Sequence, residues 1–157
     1  IIIYYIMKSF PKQGRQLELF KKSLKTRDYN NQIPITGRSC DNYSMQLFPD
    51  IPKKQLLTYM GTKDYLDVAC GINHLYPKSL LSMIKGSKKK HGLDIHSKSE
   101  GNYFKGTIYK TPFKNNSYDC ITINNFLYFW EYKPDNLLKI YNELHRICKK
   151  NGEIRVF

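Results

Sequence analysis

The stretch Tyr65-Leu66-Asp67-Val68-Ala69-Cys70-Gly71 decides the fold that this chain is expected to adopt. Its first five residues form a short apolar run interrupted by Asp67, which is typical of a strand buried on both faces of a sheet. Cys70 and Gly71 then predict the turn that leaves the strand. An unpaired buried carboxylate is energetically costly, so Asp67 is expected to have a donor group nearby. Asp67 could instead cap the following helix.

Short apolar runs alternate with helical stretches from this strand to the end of the chain. Further strands are predicted at 92–95, 103–108, 118–123 and 153–157. One helix is predicted to begin at Pro77 and to stop at Gly86. The clearest helix begins at Pro134 and ends at Asn151-Gly152, with one apolar stripe formed by Leu137, Leu138, Tyr141, Leu144, Ile147 and Cys148. The alternation predicts an α/β fold: a doubly wound, mostly parallel sheet with helices on both faces.

The part of the chain before Tyr65 lacks this alternation of strands and helices. Residues 14–24 suggest a short amphipathic helix. Residues 28–52 are rich in Asn, Asp, Ser, Pro and Gly and predict a long irregular, lid-like connection. A short helix is predicted to open at Pro52 and to end at Gly61. The predicted organisation is an N-terminal helix with a lid-like segment at 1–52 and one α/β domain at 53–157.

Length, charge and cysteine content narrow the classes of protein. A chain of 157 residues suits one domain. Its 26 basic and 13 acidic residues give a net charge of +13, which would suit nucleic acid. Lysine supplies 21 of the basic residues, however, and Lys, Asn, Ile and Tyr all have A/T-rich codons, so genome composition explains the charge equally well.

The four cysteines lie far apart, without a C-x-x-C pair, and predict neither a zinc site nor a disulfide framework. They are interpreted as reduced thiols of a cytoplasmic protein. The apolar runs are too short for a membrane span or a signal peptide, so we expect neither membrane insertion nor secretion.

Ligands of a doubly wound sheet bind beyond the carboxyl ends of the strands, so residues that end strands are the candidate site. Asp94 ends the second predicted strand, 27 residues after Asp67. There, its carboxylate could accept both hydroxyls of a ribose. Asp94 could also lie in a solvated turn. Gly71 would let a ligand approach the backbone closely.

Four ordered segments of the sequence are similar to those of class I S-adenosylmethionine-dependent methyltransferases, of the methyltransferase type 11 kind. They are Leu66-Asp67-Val68-Ala69-Cys70-Gly71, then Gly92-Leu93-Asp94-Ile95, then Thr111-Pro112-Phe113-Lys114-Asn115-Asn116-Ser117-Tyr118-Asp119, and finally the stretch from Asn142-Glu143-Leu144-His145-Arg146 to Gly152-Glu153. The resemblance covers residues 53–157 and implies a Rossmann-like fold with S-adenosylmethionine as cofactor.

The resemblance also implies roles for the residues that match. Asp67 would lie near the methionine moiety, with Ala69 and Gly71 at two of the three glycine positions of the family's turn. Asp94 would bind the ribose and Ile95 would pack on the adenine, whose edge Thr107 and Ile108 would contact. Asn124 would line the methionine pocket, and Asn125 and Tyr128 would face the substrate. The departures from the family pattern are Ala69 and Asn73 for glycines and Thr107 for aspartate, of which Ala69 is taken as a mild change.

No catalytic base and no metal ligand can be assigned from these motifs. His74 follows the first turn, but a solvated or capping histidine is the more common case. The aromatic residues 128–130 either shape an acceptor pocket or pack in the core. The methyl acceptor, the oligomeric state and the partners are left open. A module that binds nucleic acid without catalysis is the alternative function.

The sheet of the family normally has seven strands, the last two forming a C-terminal hairpin. The resemblance in this chain ends within the fifth strand. We therefore expect the hairpin to be missing, either because the sequence is a fragment or because the sheet is trimmed and its edge is exposed or covered by a partner.

Overall fold

A computed structural model describes residues 2–5, 38–71, 76–86, 88–95, 99–124 and 134–157 of the chain. The strands in these ranges are β1 (Ile2–Tyr5), β2 (Tyr65–Val68), β3 (Lys90–Asp94), β4 (Tyr103–Lys105), β5 (Tyr118–Ile123) and β6 (Cys148–Val156). The helices are α1 (Cys40–Gln46), α2 (Lys53–Gly61), α3 (Leu80–Met83) and α4 (Pro134–Ile147). None of these helices is long and apolar enough to cross a membrane.

The six strands form one sheet in the order β1-β6-β5-β2-β3-β4, and every neighbouring pair is parallel. From β2 the chain moves outward through β3 and β4, then returns to the other side of β2 and continues through β5 and β6. The direction of winding therefore reverses between β2 and β5. A ligand is expected to bind at the carboxyl ends of the central strands, which are called the ligand edge below. The predicted doubly wound α/β fold is confirmed.

Alternation along the strands divides the core between the two faces of the sheet. Leu66 and Val68 of β2 pack on one face with Ile140 and Leu144 of α4. Tyr65 of β2 belongs to the core of the other face, which also contains side chains from α1, α2 and α3. Successive strand residues point to opposite faces, so β2 can be buried on both sides. Helices thus cover both faces, as predicted.

The predicted bounds of several elements were wrong by a few residues. The helix expected from Pro77 begins at Leu80, because the Ser79 side chain accepts a hydrogen bond from the Ser82 N–H and caps it. The third strand of the predicted set ends at Lys105, three residues early. The long helix ends at Ile147, so Asn151-Gly152 lies inside β6.

The apolar stripe predicted for α4 was partly wrong. Leu137, Leu138 and Tyr141 are 38%, 59% and 41% exposed. The buried positions are Ile140, Leu144 and Ile147, which are spaced by four and three residues and so lie on one helix face. Six apolar residues span a wider arc than the sheet covers, because one flat layer can bury only a single stripe of the helix.

The prediction of irregular structure throughout 28–52 was wrong at α1 (Cys40–Gln46), whereas residues 47–52 are irregular as predicted. Ser39 caps α1: its hydroxyl accepts from the Asn42 N–H, and the Asn42 side chain accepts from the Ser39 N–H. The polar residues of this segment were interpreted as turn formers, whereas they form a capping box. The core that contains side chains of α2 also contains Tyr43, Leu47 and Phe48. Residues on both sides of the predicted domain boundary at residue 52 thus share one core, and the boundary itself stays a prediction.

Strand β1 was missed by the sequence reasoning. Its residues pair with Glu153 to Val156 along the outer edge of β6. The run of Ile and Tyr has high β-propensity, which was the available signal. The helix predicted at 14–24 lies outside the described residues.

A buried carboxylate joins α1 to the sheet. Asp67 of β2 is fully buried, and the Tyr43 hydroxyl donates to its carboxylate, with distances of 2.8 and 2.7 Å to the two oxygens. Thr122, which is the register partner of Asp67 on β5, donates its hydroxyl proton to Oδ1 at 2.9 Å. Burial, followed by the charge of Asp67, raises the pKa of Tyr43 well above its usual value, so the tyrosine stays a donor. The donors expected for Asp67 therefore include the hydroxyl groups of Tyr43 and Thr122.

A buried arginine fastens the segment after α1 to β6. Arg155 is 1% exposed and donates to the Asp50 carboxylate, to Glu153 and to the Leu47 carbonyl oxygen. Its guanidinium also lies 4.5 Å from the centre of the Phe48 ring. Every one of these contacts satisfies a charge that would otherwise be costly in the core.

A second hydrogen-bond network connects the segment 111–119 with the segment that begins at Asn142, two of the four segments singled out in the sequence. The Glu143 carboxylate of α4 accepts from the Thr111 N–H at 2.6 Å, from the Thr111 hydroxyl at 2.8 Å and from the Arg146 guanidinium at 2.7 and 2.8 Å. Arg146 also donates to Asn115. The loop that leads into β5 is thereby held against α4, and the hydrogen bond from Arg146 lowers the pKa of Glu143 to about 2.

Replacing Tyr43 by Phe is expected to lower the free energy of unfolding by about 2 kcal/mol, because a buried carboxylate loses a charge-assisted hydrogen bond. Urea unfolding monitored by circular dichroism measures this. The matched control is Tyr65→Phe, which removes an equally buried hydroxyl that bonds Thr122 at 2.8 Å and not a carboxylate. Its expected cost is about 1 kcal/mol. An equal or larger loss in Tyr65→Phe would contradict the assignment.

Replacing Glu143 by Gln is expected to destabilise the fold by about 2 kcal/mol at pH 7. Since the pKa is about 2 in the folded chain and near 4.5 as its ordinary value, the carboxylate stabilises the fold above pH 4.5. This contribution is lost as the pH falls toward 2. Urea titrations should show the difference between variant and parent shrinking from pH 5 to pH 3, with the exposed Glu100→Gln as the neutral control. A difference that does not change with pH would refute this role.

Candidate active site

The turn after β2 has the backbone conformation of a glycine-rich loop. Ala69 and Gly71 both have a φ of 55°, in the left-handed region. Between them, the Cys70 N–H donates to the Leu93 carbonyl oxygen at 3.2 Å, which attaches the turn to β3. Glycine adopts this conformation without cost, whereas a Cβ atom costs about 1 kcal/mol. The prediction that Ala69 is a mild change was therefore wrong, because alanine stands where the backbone favours glycine.

The second strand end meets this turn directly. Asp94 is the last residue of β3, and its Oδ2 accepts a hydrogen bond from the Gly71 N–H at 2.9 Å. This bond brings together the two features that the sequence singled out 23 residues apart. Asp94 is half-buried, so its carboxylate is also accessible at the edge. The next residue, Ile95, is 49% exposed and places an apolar surface beside the carboxylate.

The two residues expected at the adenine edge differ in exposure. The Thr107 side chain is exposed, and its backbone pairs with that of Lys110. Ile108 is 5% exposed and packs in the core with Leu93. Thr107 is thus accessible to a ligand and Ile108 faces the interior. Contact of either residue with a cofactor stays a prediction.

The third strand end carries Asn124, which is 4% exposed and held on both sides. Its Oδ1 accepts from Arg38 Nη1 at 3.2 Å, and its Nδ2 donates to Gln46 Oε1 at 3.0 Å. Gln46 is the last residue of α1 and Arg38 lies two residues before its start, so both ends of this helix are close to the carboxyl end of β5. Sequence reasoning missed Arg38, Tyr43 and Gln46 at this edge. The available signal was the capping pattern of Ser39 and Asn42.

Asp67 occupies a different place from the other strand-end residues. Its carboxylate is fully buried beneath the edge and is bonded by Tyr43 and Thr122. In this position it fixes the strand from which the turn emerges. Its predicted contact with a methionine moiety stays a prediction. Asn73, His74, Asn125 and Tyr128 lie outside the described residues, as do the aromatic residues that follow Tyr128.

Together these residues place four kinds of group at the carboxyl ends of the strands. They are a carboxylate that can accept hydrogen bonds from hydroxyl groups, an apolar side chain, a turn that a ligand can approach closely, and the guanidinium of Arg38. That combination can bind a nucleoside through its ribose and base, and an amino-acid tail through its charges. Among the described residues, no group of three or more His, Cys, Asp or Glu could hold a metal ion.

Comparison with one solved structure supports the fold. A protein from Pyrococcus horikoshii OT3 is similar to this chain with a TM-score of 0.54 and 18% identity, over 85% of this chain and 64% of that one. A SAM-dependent methyltransferase from Aquifex aeolicus shares 22% identity over 73% of this chain and 65% of that one, with a TM-score of 0.48. The chain thus spans somewhat less than two thirds of both proteins. A comparison with curated protein sequences finds no significant match.

A family model described as "Methyltransferase domain" matches residues 66–156, which is more than half of the chain. The match begins in β2, ends at the last residue of β6, and contains all four segments on which the resemblance was based. The predicted recognition is confirmed, and the chain belongs to this family of class I methyltransferase domains.

Proposed function

We propose that the chain binds S-adenosylmethionine at the edge formed by β2, β3 and β5 and transfers its methyl group to an acceptor. The observation that carries this proposal is the hydrogen bond from the Gly71 N–H to the Asp94 carboxylate. It joins a turn that a cofactor can approach closely to the acidic group that suits ribose hydroxyls. Family membership, stated above, supplies the reaction class.

The residues present fit the cofactor. Asp94 is half-buried, so the carboxylate can accept hydroxyl protons while it keeps the Gly71 N–H. Ile95 provides an exposed apolar side chain next to it for the base. Asn124 lies two strands away across the edge, on the side where the amino-acid tail would extend.

When bound, the cofactor supplies a methyl group on a sulfonium: the acceptor's electron pair forms the new bond, and sulfur keeps the pair of the broken carbon–sulfur bond. The protein contributes position and exclusion of water. In this chain the turn is fixed by Asp94 from one side and by the Tyr43–Asp67 bond from below, so it is held before the ligand arrives. A preorganised site of this kind loses less entropy on binding.

The acceptor is unassigned, and the residues predicted to face it, Asn125 and Tyr128, lie outside the described residues. The alternative function, nucleic-acid binding without catalysis, rests on the net charge. Genome composition explains that charge equally well, because lysine supplies 21 of the 26 basic residues. The strand-end geometry therefore favours the methyltransferase.

Replacing Asp94 by Asn is expected to weaken binding of S-adenosylhomocysteine about 10- to 100-fold, because hydrogen bonds to a charged acceptor contribute about 1.5 to 3 kcal/mol. Isothermal titration calorimetry measures the dissociation constants. Asp135→Asn, an exposed aspartate in the first turn of α4, is the matched control and should bind as the parent does. No saturable binding by the parent chain up to about millimolar would refute the proposed function. Unchanged binding by Asp94→Asn would refute the ribose role alone.

Replacing Ala69 by Gly is expected to raise the free energy of unfolding by about 0.5 to 1 kcal/mol, since it removes a Cβ atom from a left-handed residue. It should also tighten binding of S-adenosylhomocysteine, because the ligand can approach the turn more closely. Asn116→Gly is the control. Asn116 has a φ of 52° in a turn before β5, so this variant should change stability slightly and leave binding unchanged. A less stable Ala69→Gly variant would contradict the backbone conformation described for this turn.

A further inference from the structure

We propose that the amino ends of the parallel strands form a docking surface for the phosphate backbone of a nucleic acid. This surface lies opposite the ligand edge and is called the lysine edge below. Its exposed lysines are Lys85, Lys88, Lys89 and Lys114. The inference goes beyond the proposed function, because it adds a second binding surface and leaves the methyltransferase site as described.

Positive charge is concentrated at this end of the sheet. Eight lysines and two aspartates lie in the four segments at the amino ends of β2, β3, β5 and β6. These segments are 61–64, 85–90, 114–119 and 148–151. The described residues that directly follow β2, β3 and β5, at 69–71, 95 and 124, contain no charged side chain. Genome composition can explain how many lysines the chain contains, but it does not place them at one end of the sheet.

A buried lysine brings the segments of the lysine edge together. The Lys90 ammonium is 9% exposed and donates to three carbonyl oxygens. They are those of Lys63 at 2.7 Å, Lys88 at 3.3 Å and Gly61 at 3.5 Å. A Cβ atom on Gly61 would lie 2.8 Å from the Lys85 carbonyl oxygen, so the segment after α3 is in close contact with the end of α2. The backbone that carries Lys85 and Lys88 is therefore fixed in position.

The acidic groups at this end of the sheet are bonded within the fold. Asp64 accepts from the Lys89 N–H at 3.0 Å and from the Lys149 ammonium at 2.7 Å. Lys149 also donates to Asp119 at 3.0 Å. The Lys89 ammonium donates to the Ser117 carbonyl oxygen at 3.0 Å, which takes its charge across β2 to the start of β5. The positive charges thus form a row that crosses the central strands.

The length of this row suits a regular polyanion. Neighbouring strands are about 4.8 Å apart, so the distance from β3 through β2 and β5 to β6 is about 14 Å. One strand of a nucleic-acid duplex carries a phosphate about every 3.4 Å along the axis. The lysine edge can therefore face about four consecutive phosphates.

The chemistry of the lysine edge favours a nucleic acid over other acidic partners. Lysine binds phosphate as a point charge, whereas it is depleted in interfaces between proteins, which are enriched in arginine and aromatic residues. Proteins that lie on membranes usually combine their charges with an apolar surface. The described segments 88–89 and 114–117 contain only lysine, asparagine and serine.

Two triple variants with the same net charge test where a nucleic acid binds. The edge variant combines Lys85→Gln, Lys88→Gln and Lys114→Gln. The control variant changes three exposed lysines elsewhere, by Lys54→Gln, Lys110→Gln and Lys139→Gln. Fluorescence anisotropy with a labelled DNA duplex of about 20 base pairs measures the dissociation constants between about 50 and 200 mM salt. The edge variant should bind at least about 10-fold more weakly at the lowest salt concentration, and the control variant less than about threefold more weakly.

The salt dependence gives a second readout of the same contacts. Three lost phosphate contacts should reduce the slope of the logarithm of affinity against the logarithm of salt concentration by about 2 to 3 in the edge variant. Equal weakening by both variants would overturn the proposal, because net charge alone would then explain the binding. Absence of saturable binding by the parent chain would overturn it as well. So would tighter binding to phosphatidylserine vesicles or to polyglutamate than to the duplex at the same salt concentration.

This test is separate from that of the proposed function. The edge variant should bind S-adenosylhomocysteine as the parent chain does, because the lysine edge and the ligand edge lie at opposite ends of the strands. Thermal unfolding establishes that each variant is folded. If the edge variant does not fold, Lys88→Gln is compared with Lys139→Gln, and equal binding of the duplex by these two single variants would overturn the proposal.

Discussion

The carboxylate of Asp67 is the constraint on which the rest of this structure depends. A charge at the centre of a sheet must be bonded, and its donors include hydroxyl groups from two different elements: Tyr43 of α1 and Thr122 of β5. One residue thereby holds together the two strands that flank the reversal of the sheet and the helix that covers their ends. The turn with Ala69 and Gly71 starts two residues later, so its position is fixed by the same bonds.

Charged residues have different roles at the amino ends and at the carboxyl ends of the parallel strands. At the amino ends of the strands, Lys149 donates to Asp64 at 2.7 Å and to Asp119 at 3.0 Å, and the Asp64 N–H donates to Asp119. These charges satisfy one another and stabilise the fold. At the carboxyl ends, Asp94 accepts a hydrogen bond from the Gly71 N–H and is half-exposed. A half-exposed carboxylate at the carboxyl ends of parallel strands is typical of a site that receives a ligand.

The fold could be predicted from the sequence because its decisive segments are local. The run from Tyr65 to Val68 and the segment from Tyr118 to Ile123 are strands at the expected positions, since buried parallel strands consist of continuous apolar residues. Asp94 was placed correctly because it ends such a run. The contact between Gly71 and Asp94 follows once the two strands are neighbours, and the parallel pairing of β2 with β3 provides this.

What could not be predicted depends on contacts between distant parts of the chain. Helix α1 was missed because its Ser, Asn and Asp residues suit turns as well as helix caps. The contact that favours the helix is the hydrogen bond from the buried Tyr43 to Asp67, which lies 24 residues later in the sequence. The exposure of Leu138 was missed because helical spacing does not reveal how wide a face the sheet will cover. The conformation of Ala69 was missed because the residue type alone does not give φ.

The most direct test of the central claim is a crystal structure of the chain with S-adenosylhomocysteine. The account predicts the nucleoside across the carboxyl ends of β3, β2 and β5, with the ribose hydroxyls on the Asp94 carboxylate, the sulfur above the turn at Ala69 to Gly71, and the amino-acid tail beside Asn124. A nucleoside bound at another surface, with Asp94 and the turn free of ligand, would contradict it.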